Sequence, residues 1–306
     1  MKILIVCSAN SGQIAPFIIE QAEALMREGV EVEYFTIDAK GLWGYLKNRK
    51  RLIKRIHESS PQLIHAHYGL SGLLANLQRR IPVVTTYLGS DINYQKVFYF
   101  SRISMLLSAY NIFVSEKNRI KSGLKHNQSL IAFGVETNLF KPMDRIQSRK
   151  ELGLDLNKKL VLFAGAFHNP VKNVALAQAA IALLPNVELM KLGNGYTRQQ
   201  VALLMNSVDV ALMTSFSEGS PQFIKEVMAC NCPVVSVAVG DVPDILKGLD
   251  GCYISIYEVG DVADKLKQAL EFGKPTEGRD RIINLGLDAV TVANKIKSIY
   301  TNYVRY

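Results

Sequence analysis

The sequence has little that would place it across a membrane or in an oxidising compartment. No stretch approaches the roughly 18 apolar residues of a membrane-spanning helix, which excludes an integral helical membrane protein. Met1 and Lys2 lead directly into the apolar run 3–6, which is too short for the hydrophobic region of a signal peptide. The four cysteines have the spacing of neither a zinc site nor a redox pair, so we interpret them as small buried side chains. We expect a cytoplasmic protein, or one peripheral on the cytoplasmic face of a membrane.

The composition is that of a globular protein with a sizeable core. Hydrophobic residues make up 48% and charged residues 21% of the 306 residues, which are ordinary proportions for a folded chain. Because domains commonly contain about 100–200 residues, we expect two of them. The formal net charge of +9 favours an anionic partner. A phosphate-bearing substrate, an anionic membrane surface and nucleic acid all fit, and charge alone does not choose among them.

Apolar residues recur along the chain with alternating strand and helix periods. Residues 2–7 form a continuous apolar run typical of a strand buried on both faces, and helical spacing follows over 15–28. This unit recurs, is interrupted over 133–145 in what we interpret as a linker, and resumes from residue 159 onward. Strands that alternate with helices predict an α/β fold with parallel sheets. Ligands of such sheets bind at the carboxyl ends of the strands.

One loop in the second half of the chain is rich in polar side chains. Pro221 is suited to the first turn of a helix, and the N–H groups of Gly219 and Ser220 would then lie at the helix N-terminus, which attracts phosphate. Glu218 lies before this helix and Glu226 within it, so both side chains can face one crevice. Taken singly, either glutamate is more readily explained as a partner of the helix dipole or as a surface residue.

Two glutamates separated by seven residues, with Gly-x-Pro after the first, resemble the E-x7-E motif of the retaining GT-B glycosyltransferases of family 4. The segments 65–69, 89–91 and 133–142 also resemble that family. The resemblance extends over nearly the whole chain and is strongest over 130–245.

The resemblance implies a GT-B fold, with two Rossmann-like domains facing each other across a cleft and a C-terminal helix that crosses back to the first domain. We expect an acceptor domain over 1–140 with helix 287–306, and a nucleotide-sugar domain over 141–286. The family transfers sugar from a nucleotide sugar with retention at the anomeric carbon, without an essential metal or other cofactor. The sequence agrees on the metal, because it contains no Asp-x-Asp pair. We favour a UDP-sugar donor, a glycan or lipid-linked acceptor and a monomer.

On the donor side, the resemblance makes Lys172 and Glu218 the catalytic candidates. Lys172 matches a family lysine that neutralises charge on the departing diphosphate, Glu218 would contact the donor sugar, and Glu226 the ribose. The other donor-binding residues that the resemblance implies are Gly12, Gly165, Gly193, Asn194, Gly219, Ser220 and Pro221. Ordinary tight turns are the alternative interpretation of Gly12 and Gly193.

On the acceptor side, the resemblance adds His67 and Asp91 as catalytic candidates. Both follow predicted strands, so His67 could enter the cleft and Asp91 could orient an acceptor hydroxyl. A structural role is the alternative for His67. His65 and His67 share one face of a strand, but a metal site would need further ligands that we do not find in the sequence.

Two positions depart from the family pattern. Ala166 stands where the family has an arginine, and Leu88 stands where members often have a histidine. His168 could supply the missing donor, although a loop histidine is more often simply exposed. These departures leave open a catalytically impaired protein that binds the nucleotide sugar. A sugar-nucleotide epimerase of related fold is a third alternative.

A strongly basic segment follows Trp43 and Tyr45. Its cationic residues are Lys47, Arg49, Lys50, Arg51, Lys54 and Arg55, with no acidic residue among them. A basic amphipathic helix with flanking aromatic residues can bind an anionic membrane surface, and a solvated helix face is the alternative. We do not expect nucleic acid as a partner, because no nucleic-acid-binding module accompanies the charge.

Overall fold

Two α/β units divide the chain, and the first of them is discontinuous in sequence. The structure is a computed structural model, and the residues it describes are 1–10, 12–165, 167–192 and 195–304. Unit 1 comprises Met1–Gly134 and Ala289–Tyr306, and unit 2 comprises Val135–Asp288. The predicted α/β fold with two parallel-sheet domains is confirmed.

The first boundary lies at residue 134, whereas the sequence suggested residue 140. Val135 and Phe140 are fully buried in the core of unit 2, and the N–H of Val135 donates to the carbonyl of Leu287 at 2.9 Å. The segment that we interpreted as a linker is therefore the start of unit 2. The second boundary lies at 288 rather than 286, because Ala289 is already buried in the core of unit 1.

The described residues of unit 1 form a six-stranded parallel sheet. Its strands are β1 (Lys2–Ser8), β2 (Glu31–Ile37), β3 (Leu63–His67), β4 (Val83–Tyr87), β5 (Tyr110–Phe113) and β6 (Gln128–Leu130). The helices that connect them are α1 (Pro16–Arg27), α2 (Gly41–Lys47), α3 (Arg49–Ser59), α4 (Gly69–Asn76), α5 (Ser90–Asn93), α6 (Gln95–Leu107) and α7 (Glu116–Ser122). The strand order is β2-β1-β3-β4-β5-β6.

Alternate residues of β1 face two different layers of helices. Ile3 and Ile5 pack in a cluster with residues of α1, whereas Leu4 and Val6 pack in a cluster with residues of α3 and α4. All four side chains are fully buried. Because both faces of this strand are covered, its sequence is a continuous apolar run rather than an alternation of apolar and polar residues.

Unit 2 repeats the architecture, with a five-stranded parallel sheet in its described residues. The strands are β7 (Lys159–Phe163), β8 (Val187–Lys191), β9 (Val210–Met213), β10 (Val234–Val237) and β11 (Cys252–Ser255), in the order β11-β10-β9-β7-β8. The helices are α8 (Arg145–Leu152), α9 (Val174–Ala182), α10 (Arg198–Ser207), α11 (Gln222–Ala229), α12 (Val242–Leu246), α13 (Val259–Phe272) and α14 (Gly278–Asn284). A short 3-10 turn, Pro170–Lys172, precedes α9.

The last helix, α15 (Ala289–Tyr303), returns to unit 1 and packs beside α1. Its Tyr300 is fully buried, and the hydroxyl lies 2.6 Å from Nδ1 of His65 on β3. The other ring nitrogen of His65 lies 2.8 Å from the Thr86 hydroxyl on β4. His65 therefore joins two strands of the sheet to the C-terminal helix.

A buried ion pair closes the amino-terminal edge of the sheet in unit 2. Asp209 accepts a hydrogen bond from the Arg149 guanidinium at 2.8 Å and another from the N–H of Leu160 at 2.8 Å. The Arg145 guanidinium lies 2.9 Å from the second carboxylate oxygen. Asp209 thus ties α8 to the beginnings of β7 and β9.

None of the helices in the described ranges is long and apolar enough to cross a membrane.

Helices α4 and α6 approach each other closely enough to require glycine on α4. A Cβ atom at Gly69 would lie 2.7 Å from the Cβ of Ser101, and one at Gly72 would lie 2.6 Å from Cγ2 of Thr85 and also meet the Ser104 hydroxyl. A side chain at either position would force the packed elements apart.

We predict that Gly72→Ala destabilises unit 1 by about 1–3 kcal/mol, because the added methyl group overpacks a closed contact. Urea denaturation followed by circular dichroism measures the change. The matched control is Gly260→Ala in α13, where an added Cβ meets nothing within 4 Å and helix propensity favours alanine by up to about 1 kcal/mol. Equal stabilities for the two variants would contradict the close approach.

Candidate functional site

Two loops of unit 2 meet at the carboxyl ends of β7 and β9, and we name them the Lys172 loop (165–173) and the Glu218 loop (214–221). The 3-10 turn of the Lys172 loop is capped by Asn169, whose side chain accepts the N–H of Val171 at 3.1 Å. Thr214 in the Glu218 loop places its hydroxyl 3.0 Å from the carbonyl oxygen of Lys172. The N–H of Phe216 donates to the carbonyl of Val171 at 2.9 Å. The two loops therefore form one scaffold.

The predicted residues Lys172 and Glu218 are brought together on this scaffold. The ammonium nitrogen of Lys172 lies 2.7 Å from a carboxylate oxygen of Glu218, and both side chains are partly buried. The lysine stem runs over Gly165, where a Cβ would lie 3.1 Å from the Lys172 Cε, and Gly165 has a φ of +122°. Gly165 thus gives the lysine room to reach Glu218.

Gly240 supports the Glu218 loop from the other side. It lies in the segment 239–243, which also resembles the family, but we did not predict it to be a site residue. It has a φ of +60°, and a Cβ atom there would meet the carbonyl oxygen of Gly219 and lie 3.0 Å from the carbonyl carbon. Its position at the carboxyl end of β10 is the signal that could have identified it, since that loop borders the same sheet edge.

Glu226 lies on α11 and is 4% exposed. A carboxylate oxygen of Glu226 lies 2.5 Å from the guanidinium of Arg198, the first residue of α10. That guanidinium also lies 4.8 Å from the ring centre of Phe140, a distance at which a cation–π contact forms. We did not predict a role for Arg198. No local sequence pattern indicates that it pairs with Glu226, which lies 28 residues further along the chain.

The helix start differs by one residue from the prediction. Helix α11 begins at Gln222, and Pro221 is its N-cap residue, so Gly219 and Ser220 lie just before the helix rather than in its first turn. Their N–H groups donate to no acceptor in the described part of the chain. They remain available to an anion in front of the helix.

Lys225, next to Glu226, is fully buried. Burial lowers the pKa of Lys225 to about 8, and the negative charges of Asp241 and Glu226 oppose that shift. Burial also raises the pKa of Asp241.

Gly193 and Asn194 lie outside the described residues, as does Ala166. Gly12 has a φ of +93° and donates its N–H to the carbonyl of Ala9 at 2.9 Å, which is the geometry of a tight turn.

His67 in unit 1 lines a cavity of about 490 Å³ at the carboxyl ends of β1, β3 and β4. The side chain is 1% exposed, and neither ring nitrogen has a hydrogen-bond partner among the described residues. Burial lowers the pKa of His67 to about 3, so the ring is neutral near pH 7. A neutral imidazole can donate from one nitrogen and accept at the other.

Asp91 does not have the geometry that its predicted role in orienting an acceptor hydroxyl requires. Its carboxylate is fully buried and accepts the N–H groups of Gly69 at 2.9 Å, Leu88 at 3.0 Å and Gly89 at 2.8 Å. Burial raises the pKa of Asp91 to about 6 against the opposing effect of these hydrogen bonds. The residue organises the loop after β4 and the start of α4, and this corrects the prediction.

We predict that Asp91→Asn lowers stability by about 1–3 kcal/mol, because the amide nitrogen would face backbone N–H groups and leave at least one of them unpaired. Thermal unfolding followed by circular dichroism checks this. Asp38→Asn, at an exposed position of the same unit, is the control and should melt with the wild type. A wild-type melting temperature for Asp91→Asn would refute the structural role.

Within the described ranges, no group of three or more His, Cys, Asp or Glu side chains is placed to hold a metal ion.

Two family models match the sequence. The model described as glycosyl transferase 4-like matches residues 10–120, and the model described as glycosyl transferases group 1 matches residues 194–271. D-inositol 3-phosphate glycosyltransferase of Mycobacterium tuberculosis is 28% identical over 176 residues, and the match covers 48% of this chain but 36% of that relative. The curated relative is thus much longer than the stretch that it shares with this chain.

Solved structures resemble the chain over nearly its full length. Sucrose-phosphate synthase from Thermosynechococcus elongatus has a TM-score of 0.84 at 17% identity, with 99% of this chain and 98% of that chain covered. Anabaena HepE in complex with UDP has a TM-score of 0.77 at 18% identity, with 99% and 100% covered. At identities of 17% and 18%, structural similarity establishes the fold alone. The predicted GT-B fold is confirmed.

Proposed function

Because the chain belongs to the group 1 glycosyltransferases, we propose that it transfers a sugar from a nucleoside-diphosphate sugar to a hydroxyl group of an acceptor. The observation that carries this proposal is the Lys172–Glu218 ion pair at 2.7 Å, in loops that follow two strands of one parallel sheet. A cation and unpaired backbone N–H groups beside a carboxylate suit a sugar diphosphate, which joins an anion to a neutral polyol.

In the proposed reaction, the diphosphate replaces Glu218 as the partner of the Lys172 ammonium. Lys172 then neutralises the negative charge that develops on the departing nucleotide. The N–H groups of Gly219 and Ser220 donate to phosphate oxygens. Glu218, released from the lysine, accepts hydrogen bonds from hydroxyl groups of the donor sugar. Glu226, held by Arg198, accepts those of the ribose.

Retention of the anomeric configuration is part of the proposal. The acceptor oxygen bonds to the anomeric carbon on the face from which the diphosphate departs. The bond between that carbon and the phosphate oxygen breaks, and the leaving phosphate oxygen takes the acceptor proton. No side-chain nucleophile is needed. The Lys172 ammonium supplies the positive charge that a metal ion would otherwise provide, so we propose a metal-independent transfer.

The donor and acceptor classes are further parts of the proposal. We favour a UDP-sugar, in keeping with Anabaena HepE, which was solved with UDP and with UDP-glucose. The acceptor would be a glycan or a lipid-linked molecule bound in unit 1, where His67 lines the cavity. We place the enzyme in the cytoplasm or on the cytoplasmic face of a membrane, as a monomer.

A second function is favoured by the two departures from the family pattern. Ala166 and Leu88 stand where arginine and histidine are usual, so the chain could bind nucleotide sugars without turning them over. Calorimetry with UDP-, GDP- and ADP-sugars, together with an assay for transfer, separates the two functions. Tight binding with no transfer to any acceptor would favour the binding protein.

We predict that Lys172→Ala lowers the rate of nucleoside diphosphate release about 100- to 1,000-fold, as does the loss of other charge-stabilising groups. Glu226→Ala should chiefly raise the KM for the donor, because it removes a ground-state contact. The measurement is direct quantification of the released nucleoside diphosphate by anion-exchange chromatography, with a donor panel in buffer that contains EDTA.

The control for these variants is Lys158→Ala. Lys158 also forms a 2.8 Å ion pair with a glutamate of unit 2, Glu188, but both side chains are more than half exposed and lie at the other end of β7. This variant should retain the wild-type rate. Unchanged rates in both Lys172→Ala and Glu226→Ala would sink the proposed function.

The basic segment of unit 1 is the proposed contact with an anionic membrane surface. Trp43 is 75% exposed on α2, and Lys47, Arg49 and Lys50 are exposed without ion-pair partners in the described chain. Arg51 and Arg55 are less available. The Arg51 guanidinium lies 4.8 Å from the Phe35 ring centre. The Arg55 guanidinium lies 2.9 Å from the Glu33 carboxylate.

We predict that replacing Lys47, Arg49 and Lys50 together by glutamine weakens binding to anionic vesicles at least tenfold. Each cation near an anionic leaflet contributes roughly 1 kcal/mol before screening, so raised salt should weaken wild-type binding as well. Co-sedimentation with phosphatidylserine-containing and purely zwitterionic vesicles measures the effect. The control replaces Lys247, Lys267 and Lys274, which are exposed on unit 2. Equal binding by the two triple variants would contradict the membrane contact. The basic segment would then be a solvated helix face.

A further inference from the structure

Tyr257 connects the Glu218 loop to the segment that follows β11. Its hydroxyl donates to the carbonyl of Ser215 at 2.8 Å. Its ring stacks on that of Phe216, with the ring centres 5.6 Å apart and an angle of 23° between the planes. Burial raises the pKa of Tyr257, so the hydroxyl keeps its proton and remains a donor near neutral pH. One side chain, 42 residues beyond Ser215, therefore holds two adjacent residues of the loop.

The aromatic pair lies outside the hydrophobic core of unit 2. Phe216 is 61% exposed and Tyr257 is 46% exposed. Neither belongs to the clusters of buried side chains that the described residues form on the two faces of the sheet. Because the hydrophobic contribution to stability scales with the apolar area removed from water, rings this exposed stabilise the fold little. The contact instead fixes the course of the loop backbone.

Glu218 lies between two fixed points of this backbone. On one side, Tyr257 holds Phe216. On the other side, Gly219 packs against Gly240, where a Cβ atom would lie 3.0 Å from the Gly219 carbonyl carbon. Because Glu218 is one residue from the second point and two residues from the first, a displacement at Phe216 would move its carboxylate.

The anchor at Tyr257 becomes more important when the donor binds. In the structure, the ion pair with Lys172 at 2.7 Å itself holds Glu218 in place. In the proposed reaction the diphosphate becomes the partner of the lysine, so the Glu218 carboxylate loses that contact before the sugar is transferred. The position of the carboxylate then depends on Tyr257 and on the hydrogen bonds of the loop backbone.

We propose that Tyr257 is a positioning residue, which holds the Glu218 carboxylate against the donor sugar once the diphosphate has displaced it from Lys172. The inference rests on the proposed function, because it assigns Tyr257 a part in the same transfer. Misplacing a group at the reacting sugar can cost about 100-fold in rate. The contacts of Lys172 with the diphosphate and of Glu226 with the ribose remain when Tyr257 is changed. Loss of Tyr257 therefore lowers kcat and leaves the KM for the donor nearly unchanged.

The kinetic test is a double-variant cycle with Glu218. Tyr257→Ala should lower kcat about 10- to 100-fold. Tyr257→Phe, which keeps the ring and loses one hydrogen bond, should lower it about three- to tenfold. In the Glu218→Ala background, Tyr257→Ala should lower kcat by less than about twofold, because the side chain that it positions is already gone. The control is Leu183→Ala, which removes a side chain that is 59% exposed at the far end of α9 and should keep the wild-type kcat.

Hydrogen exchange followed by NMR tests the anchor without turnover. The amides of Phe216 and Asp209 each donate to a backbone carbonyl at 2.9 Å, at opposite edges of the unit 2 sheet. In Tyr257→Ala the Phe216 amide should exchange about tenfold faster or more, because the loop opens locally. Adding Lys172→Ala should enlarge this effect, since the ion pair then no longer holds the loop. Unchanged exchange of the Asp209 amide distinguishes local loosening from a loss of global stability.

The two measurements separate the inference from the proposed function. If the wild type releases no nucleoside diphosphate with any donor, the proposed function fails, while exchange of the Phe216 amide still shows whether Tyr257 holds the loop. If the wild type is active, equal exchange in wild type and Tyr257→Ala would overturn the inference alone. An equal fall in kcat with and without the Glu218 side chain would do the same, as would a rise in the donor KM at unchanged kcat.

Discussion

Parallel pairing of the strands is the constraint on which the rest of the structure depends. Within each sheet, neighbouring strands run in the same direction, so the loops that follow them lie along one edge. Lys172 and Glu218 meet at that edge of unit 2, and His67 ends a strand at the corresponding edge of unit 1. The opposite edge of unit 2 holds Asp209 and Arg149, whose hydrogen bonds stabilise the fold. Strand direction thus places Lys172 and Glu218 at one edge of the unit 2 sheet and the Asp209–Arg149 pair at the other.

The sequence was sufficient to predict those strands and helices whose buried faces are visible in the spacing of their apolar residues. Continuous apolar runs indicated strands such as β1, because a strand covered on both faces has no polar side to show. It was insufficient for α8, which is short and polar and begins where the segment interpreted as a linker ends. The stability of α8 comes from Arg149, which is buried against the carbonyl of Ser207 and against Asp209. No local pattern reports contacts across about 60 residues.

The same distinction applies to the site. The resemblance to family 4 was enough to propose that Lys172, Glu218 and Glu226 act together, because it matches each of them to a position in the family's motifs. The role of Asp91 could not be predicted, since the sequence does not show that its carboxylate turns back onto the amides of its own loop. Arg198 was missed for a related reason. Its function as the partner of Glu226 depends on how two successive helices of unit 2 pack.

The C-terminal helix has a consequence for the order in which the protein folds. His65 and Tyr300, whose side chains meet at 2.6 Å, are 235 residues apart in sequence, and all of unit 2 lies between them. During synthesis, the sheet of unit 1 emerges from the ribosome well before α15, with the surface for that helix still uncovered. At 5–20 residues per second, translation of the intervening unit alone takes roughly 8–30 s. Unit 2 can therefore complete its core first, although it is encoded second, and the nascent unit 1 exposes apolar surface to chaperones throughout that interval.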